Sequence, residues 1–447
     1  MDIIKKQVDE FIGNELRTYA IYDNSRSLPS VVDGLKTAHR KIIYTVFETI
    51  KNNVEVKTAS LGASASNLTH YKHGEVSITE AVITLCQDYA GANNYPLLQK
   101  KGQFGTAQDY TTSSPRYIFI KRDEKLNDMF DTDDREIVNY QHFDGDQIEP
   151  DFYLPKLPLV IINGSVGIGN GYKTNITQRD TRAVAKYIAD KVEKGEADKD
   201  LLMPSYNGFT GTIDKVSDNS FIINGRLERV NTTTTIIKDL PPTSAYQYET
   251  YKSKVLLPLL LNNKSGLNDI ENESTEGNWH IVLKHTREFA NCTDEQLLDK
   301  LKMSAKLTET VIVWGFDGRL KIFDNVYDLV DYWLEHRLIW IEKRKEHMLS
   351  KLKSKQEWYD SLLLLIEHWL ANPNITQLKR DVLTAQLKTV VDNDEHISKF
   401  LEQNILSLTK DRVEKLRNEI KLMVKEYKTL KAKKVEQIYL DDLVNFK

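Results

Sequence analysis

Two long stretches of the chain carry residues at heptad spacing. Leu334, Leu338, Ile341, Lys345, Met348 and Leu352 step by 4-3-4-3-4, and Val413, Leu416, Ile420, Met423, Tyr427 and Leu430 step by 3-4-3-4-3. Such spacing predicts long helices, each with one seam facing a partner. Asn372-Pro373-Asn374 ends the first arm, because proline neither donates to a helix nor fits within it, and apolar positions from Ile397 to Leu408 predict a small helical knot before the second arm returns. The expectation is a long antiparallel coiled coil with a compact tip.

Upstream the period shortens. Gly208 to Ile213, Ser220 to Ile223 and Thr232 to Ile237 read as strands separated by Asp-Asn and Asn-Gly turn signals, which predicts a β-rich region with a few helices reaching to about residue 312. Before it, an apolar run broken by prolines, Leu154 to Ile162, leads into Asn163-Gly164-Ser165-Val166-Gly167-Ile168-Gly169-Asn170-Gly171. So many glycines predict a tight turn where backbone approaches another group closely. Residues 1 to about 125 read as short helices and loops, and the β-branched and aromatic residues after Arg116 predict a strand. Helix, loop and strand in that order is the pattern of a winged helix. Between about 126 and 151, acidic residues face only Arg135, and the run reads as a solvated loop without a chemical role.

Composition narrows the class. At 447 residues the chain exceeds one ordinary core, so two to four domains are expected. Hydrophobic residues at 40% and charged residues at 28% fit a globular protein, and no apolar run approaches the roughly 18 residues that span a bilayer. The first residues lack the basic start and apolar stretch of a secretory signal, which predicts a cytoplasmic protein without a membrane. Cys86 and Cys292 are too few for a disulfide framework or a four-ligand zinc site. A net charge of -4 excludes indiscriminate coating of nucleic acid, so any nucleic-acid site must be a local basic patch.

Basic residues gather in two places, from Arg26 to Lys41 and from Lys100 to Arg122. Asp33-Gly34-Leu35-Lys36-Thr37-Ala38-His39-Arg40-Lys41 sets a turn glycine ahead of a helix, and Lys36, His39 and Arg40 share a face at spacings of three and four. That face is either a solvated helix start or a phosphate-gripping helix of the helix-turn-helix kind. Tyr117 is the candidate nucleophile. A free phenol, with a pKa near 10, attacks only with positive charge nearby, and Arg116 supplies a permanent one. Taken alone, Tyr117 reads equally as a strand tyrosine that packs its ring and wets its hydroxyl. The glycine loop matches neither a Walker loop nor a Rossmann fingerprint. Ile168 within it is either a buried turn residue or an apolar wedge for a base step.

The order of motifs is more specific than any one of them. Arg26-Ser27-Leu28-Pro29 with Asp33-Gly34-Leu35-Lys36 and His39-Arg40-Lys41, then Tyr71-Lys72-His73-Gly74-Glu75, Gly102-Gln103-Phe104-Gly105, Arg116-Tyr117, Asn163 to Ile168 and Ile237-Lys238-Asp239-Leu240-Pro241 resemble the breakage-reunion subunit of type IIA DNA topoisomerases, in that family's order. The likeness covers nearly the whole chain. It departs at Thr37, where the family has proline, at Lys72-His73, at Gln103 and at Asn175 to Gln178. The shortened histidine motif leaves two family histidines as matches for His73. A chain that stops just after the helical arms is similar, within the family, to the medium subunits of T4-like bacteriophage topoisomerases, which would place it in a host-cell cytoplasm.

The resemblance implies an α+β multidomain fold: a winged-helix DNA-cleavage domain over 1–155, a tower domain over 156–312, and a coiled coil over 313–447 with a dimerisation tip at about 370–408. It implies that Tyr117 forms a transient 5′-phosphotyrosyl link, with Arg116 and Arg26 stabilising charge on the scissile phosphate. Lys36, His39, Arg40, Lys41 and His73 would hold flanking phosphates, and Ile168 would kink the duplex. The implied partners are double-stranded DNA, a second copy of the chain, and a large subunit with an ATPase and a TOPRIM domain. That large subunit would bind Mg2+ and hydrolyse ATP, leaving no metal ligands in this chain. A non-catalytic DNA-bridging protein and a decoy of a host topoisomerase are the competing readings.

Overall fold

The computed structural model describes residues 7–372, 374–375, 378–404 and 408–446. Pro373 of the predicted break and part of the predicted tip lie outside them. Contacts divide the chain into two compact units. One runs up to Arg337 and includes the residues from Asp442 on; the other is Leu338–Asp441.

The first unit opens with helical backbone from Val8 to Ser27. Leu28 to Lys36 then turn, and Gly34 adopts a φ of 69°. A Cβ there would lie 2.5 Å from the Val160 nitrogen, so both conformation and space require glycine. The next helix starts at Thr37, not at Lys36, whose backbone is extended. Over Thr37–Thr49 this helix buries Ile42, Ile43 and Val46. It packs on the Thr58–Leu68 and Glu75–Cys86 helices. Strands β1 (Glu55–Lys57), β2 (Leu98–Lys101) and β3 (Phe119–Arg122) close this layer as an antiparallel sheet in the order β1-β3-β2. Ile118 and Ile120, beside and within β3, turn inward.

The acidic stretch is not the solvated loop its composition suggests. It contains the hairpin β4 (Tyr140–Phe143) and β5 (Asp146–Pro150), and two of its carboxylates are buried. Asp134 accepts from both terminal nitrogens of Arg337, and Glu149 pairs with Lys41 at 2.7 Å. Buried carboxylates need such partners, since an unpaired charge there costs several kcal/mol.

The glycine loop is a second hairpin, β6 (Ser165–Ile168) against β7 (Lys173–Ile176). Just after β7, Thr177 and Arg179 both bond to the buried carboxylate of Glu309, which ties the base of the hairpin to a residue far along the chain. Beyond lie β8 (Thr212–Ser217), β9 (Ser220–Asn224), β10 (Arg226–Asn231), β11 (Thr234–Asp239), β12 (Leu267–Asn272), β13 (Ile281–His285) and β14 (Ser304–Thr308). They form two antiparallel sheets, β14-β9-β8 and β10-β11-β13-β12. The strand expected from Gly208 begins only at Thr212. Gly208 has a φ of 82°, and Thr210 gives both its N–H and its hydroxyl to the Asp239 carboxylate, holding residues 208–211 as a turn. Strand β10 escapes the sequence pattern because it is an edge strand whose alternate residues are charged and exposed.

A last hairpin, β15 (Val311–Trp314) with β16 (Leu320–Phe323), precedes a single helix over Val326–Ala371. In the second unit this helix runs antiparallel to the Lys410–Ala432 helix: Arg417 donates to Glu367, and Lys345 donates to the carbonyl of Lys433. Both predicted seams turn inward in part, with Ile341, Leu416 and Met423 buried. Between the arms, helices Arg380–Lys388 and Asp394–Leu401 build a core from Leu387, Ile397 and Phe400 against Leu365 and Ile366.

Candidate functional site

Tyr117 sits in the turn Ser114–Tyr117, closed by its own N–H on the Ser114 carbonyl at 2.9 Å. The turn is held on both sides. Ala59 donates to the Pro115 carbonyl at 3.2 Å and Thr58 to the Ile118 carbonyl at 3.0 Å. Fixed at its ends, the turn projects a phenol that is 71% exposed. The Arg116 guanidinium lies over that ring, 5.5 Å from its centre, while its Nε donates to the Ser114 hydroxyl. An exposed phenol is thus presented on an anchored turn with a cation over its ring.

Five of the residues singled out in sequence meet in one cavity of about 610 Å³: Arg26, Lys36, His39, Lys41 and His73. Tyr117 is not on its wall. Lys36 donates to the Val166 carbonyl of β6 at 2.8 Å, and burial lowers its pKa. Burial and the neighbouring charges of Lys36 and Arg40 push His39 down to about 4, so its imidazole is neutral near pH 7. Burial and Arg26 lower His73 as well. Thr37, standing where the family has proline, closes the same corner by donating to the Ser25 carbonyl at 2.9 Å.

Arg40 does not join this surface. Its guanidinium donates to both oxygens of Asp33, which also accepts from the N–H groups of Leu35 and Tyr153. Being buried with its charge compensated, Arg40 holds the turn that carries Lys36, so the shared cationic face reduces to Lys36 and His39. Lys41 reaches the cavity with its ammonium already bonded to Glu149 and to the Thr69 carbonyl.

Ile168 is 73% exposed, which removes the buried reading. Val166, two residues earlier on the same strand face, is 61% exposed, while Gly167 between them is buried. A Cβ on Gly167 would stand 2.2 Å from the Ser27 carbonyl, and one on Gly169 would stand 2.0 Å from Asn24 Oδ1. The two glycines therefore let the hairpin lie directly on the helix that bears Arg26. Sequence reading missed Tyr22, whose ring lies under Arg26 and whose hydroxyl bonds to His73. Its position four residues before Arg26, on the same helical face, was the available signal.

Among the described residues no group of three His, Cys, Asp or Glu side chains is arranged to hold a metal ion, and no helix is long and apolar enough to cross a membrane. Comparison with known proteins points one way along the whole chain. The family of DNA gyrase and topoisomerase IV A subunits matches residues 26–445. DNA topoisomerase 2-alpha of Cricetulus griseus is 35% identical over 351 residues, covering 77% of this chain and 23% of that protein. DNA topoisomerase 2-beta of Gallus gallus is 28% identical, over 98% of this chain and 29% of that protein. The chain spans about a quarter of the length of these curated relatives. A solved structure of the Plasmodium falciparum topoisomerase II DNA-binding, cleavage and re-ligation domain superposes with a TM-score of 0.87 at 25% identity, over 98% of this chain and 63% of that one.

Proposed function

Because this chain belongs to the family of DNA gyrase and topoisomerase IV A subunits, we propose that it is the DNA cleavage-rejoining subunit of an ATP-dependent type IIA topoisomerase. The observation that carries the reading is Tyr117, an exposed phenol on a turn anchored at both ends. Its Oη attacks a backbone phosphorus as the phenol releases its proton. The new Oη–P bond replaces the P–O3′ bond, and the 3′ oxygen leaves with the electron pair and takes up a proton. A phosphodiester is exchanged for a phosphotyrosyl ester, so the reverse step reseals the strand without an external energy source.

Arg116 and Arg26 stabilise the charge that builds on the phosphate, and Lys36, His39, Lys41 and His73 hold neighbouring phosphates. Ile168 enters a base step and kinks the duplex. The layer of three helices and the β1-β3-β2 sheet serves as a winged-helix domain, the sheets from β8 to β14 as a tower, and the antiparallel helix pair as a coiled coil whose tip joins two copies. The second copy supplies a second Tyr117 for the opposite strand.

Magnesium has no ligand cluster among the described residues, so no step is assigned to it in this chain. We assign Mg2+ and ATP to a separate ATPase/TOPRIM chain, as in T4-like bacteriophage enzymes, and the complex to the cytoplasm. The test is covalent trapping: chain, partner subunit, duplex DNA and Mg2+ are mixed and stopped with detergent. Protein attached to 5′ ends is expected, and Tyr117→Phe abolishes it. An adduct that survives this substitution would remove Tyr117 from the chemistry, and none from the unaltered chain would leave a DNA-bridging protein.

A further inference from the structure

We propose that Tyr22 is a positioning residue of the cationic cavity: its phenol fixes the His73 imidazole as an Nδ1–H donor toward DNA phosphate, while its ring seats Arg26. The inference rests on reading the cavity as a phosphate site. Tyr22 and Arg26 stand one helical turn apart on the Arg17–Ser27 helix, and the Arg26 guanidinium carbon lies 5.8 Å from the centre of the Tyr22 ring. The Tyr22 hydroxyl bonds to His73 Nε2, and the two ring centres are 5.7 Å apart. Tyr71 closes the ring in from another side, edge-on at 5.4 Å, and is itself held by a hydroxyl contact with Ser77 at 3.2 Å. One phenol therefore touches two of the residues assigned to phosphate.

A neutral imidazole has one donor and one acceptor nitrogen, and the bond made by one nitrogen decides what the other presents. Burial and Arg26 lower the His73 pKa, so the neutral ring is the form that matters near pH 7. Were Nδ1 the acceptor, its lone pair would face phosphate oxygens and repel them. A Tyr22 hydroxyl that donates into Nε2 leaves the proton on Nδ1 and makes that nitrogen a donor. On protonation, Nε2–H donates to the phenol oxygen and Nδ1–H is unchanged. With Tyr22 in place, His73 is a donor in both charge states; without it, the neutral ring divides between tautomers and only the protonated ring is a reliable donor. Arg26 faces the imidazole from the helix, Tyr71 and Lys72 flank it on its own loop, and Lys36, His39, Lys41, His70 and Glu149 share the cavity. Titration of these other groups is common to all variants and cancels in a double-mutant comparison.

The experiment measures affinity of the full chain for a duplex by fluorescence anisotropy, at about pH 8 and about pH 5, for wild type, Tyr22→Phe, His73→Ala and the double variant. Phenylalanine keeps the ring under Arg26 and removes only the hydroxyl. The expected result is a loss of about fivefold for Tyr22→Phe at the higher pH, mostly recovered at the lower, and no further loss from Tyr22→Phe once His73 is alanine. An equal loss at both pH values, or a further loss in the His73→Ala background, would mean that Tyr22 only packs and would overturn the proposal. If His73→Ala weakens binding and Tyr22→Phe does not, Tyr22 has no positioning role although the phosphate site stands. If His73→Ala changes nothing, the phosphate reading of the cavity fails and the proposal with it.

Discussion

Burial beside two cations makes His39 a liability in acid. Its folded pKa of about 4 lies below the ordinary value of 6.5, so the unfolded chain binds the proton more readily. Stability attributable to this group is complete above pH 6.5 and is lost as pH falls toward 4, by on the order of 3 kcal/mol in all. Urea unfolding at about pH 7 and about pH 4.5 should show His39→Gln losing less stability across that interval than wild type. An equal loss would place the imidazole in ordinary solvent. The motif Lys36 to Arg40 was legible as a cluster of cations, but their division of labour was not. Spacing of three and four residues puts side chains on one face only once a helix has begun, and this helix begins after Lys36. Asp33, seven residues before Arg40, takes the guanidinium inward. Residue type and spacing carry no information about which of several cations a buried carboxylate will claim.

At the scale of elements, the β6–β7 hairpin separates stability from proposed DNA contact better than any other part. Gly167 and Ile168 are adjacent, yet one is buried against the Ser27 carbonyl and the other is open to solvent. Gly167→Ala should cost about 1–3 kcal/mol, because its Cβ meets a carbonyl that cannot move without the helix behind it. Ile168→Ala should leave stability within about 0.5 kcal/mol and reduce the bend of a bound duplex. Thermal denaturation reads the first, and energy transfer between dyes on the duplex ends reads the second. An Ile168→Ala variant that bends DNA like wild type would remove the wedge. The glycines announced a close approach in the sequence, and the alternation that exposes Val166 and Ile168 together follows from strand period. The element that receives the hairpin, more than a hundred residues earlier, could not be read, because nothing local encodes it. Strand β10 was hidden for a related reason: an edge strand with charged, exposed positions lacks the apolar alternation of a half-buried one.

At the scale of the whole molecule, two of the apolar clusters formed by the described residues stand in separate compact units. Leu283 belongs to one, built around β11 and β13, and Phe400 to the other, built around the two short helices between the long arms. The heptad seams and the short helical knot were legible because helix packing repeats along the sequence. What ties the β6–β7 hairpin to the sheets after it was not, because it rests on bonds such as Arg179 to Glu309, which no local pattern reports. Two separate cores argue for unfolding in more than one step. Deleting a buried aromatic ring costs about 3–5 kcal/mol, and Leu→Ala in a core about 2–5. Such losses shift a melting transition by about 10 °C or more in the smaller helical unit and by about 3–7 °C in the larger one, because the shift per kcal/mol falls as a unit grows. Calorimetry of the full chain should therefore show Phe400→Ala lowering one transition and Leu283→Ala lowering another. If both substitutions shifted one common transition, the two cores would melt as a single cooperative body, and a change at the short helices between the long arms would then weaken the turn that carries Tyr117.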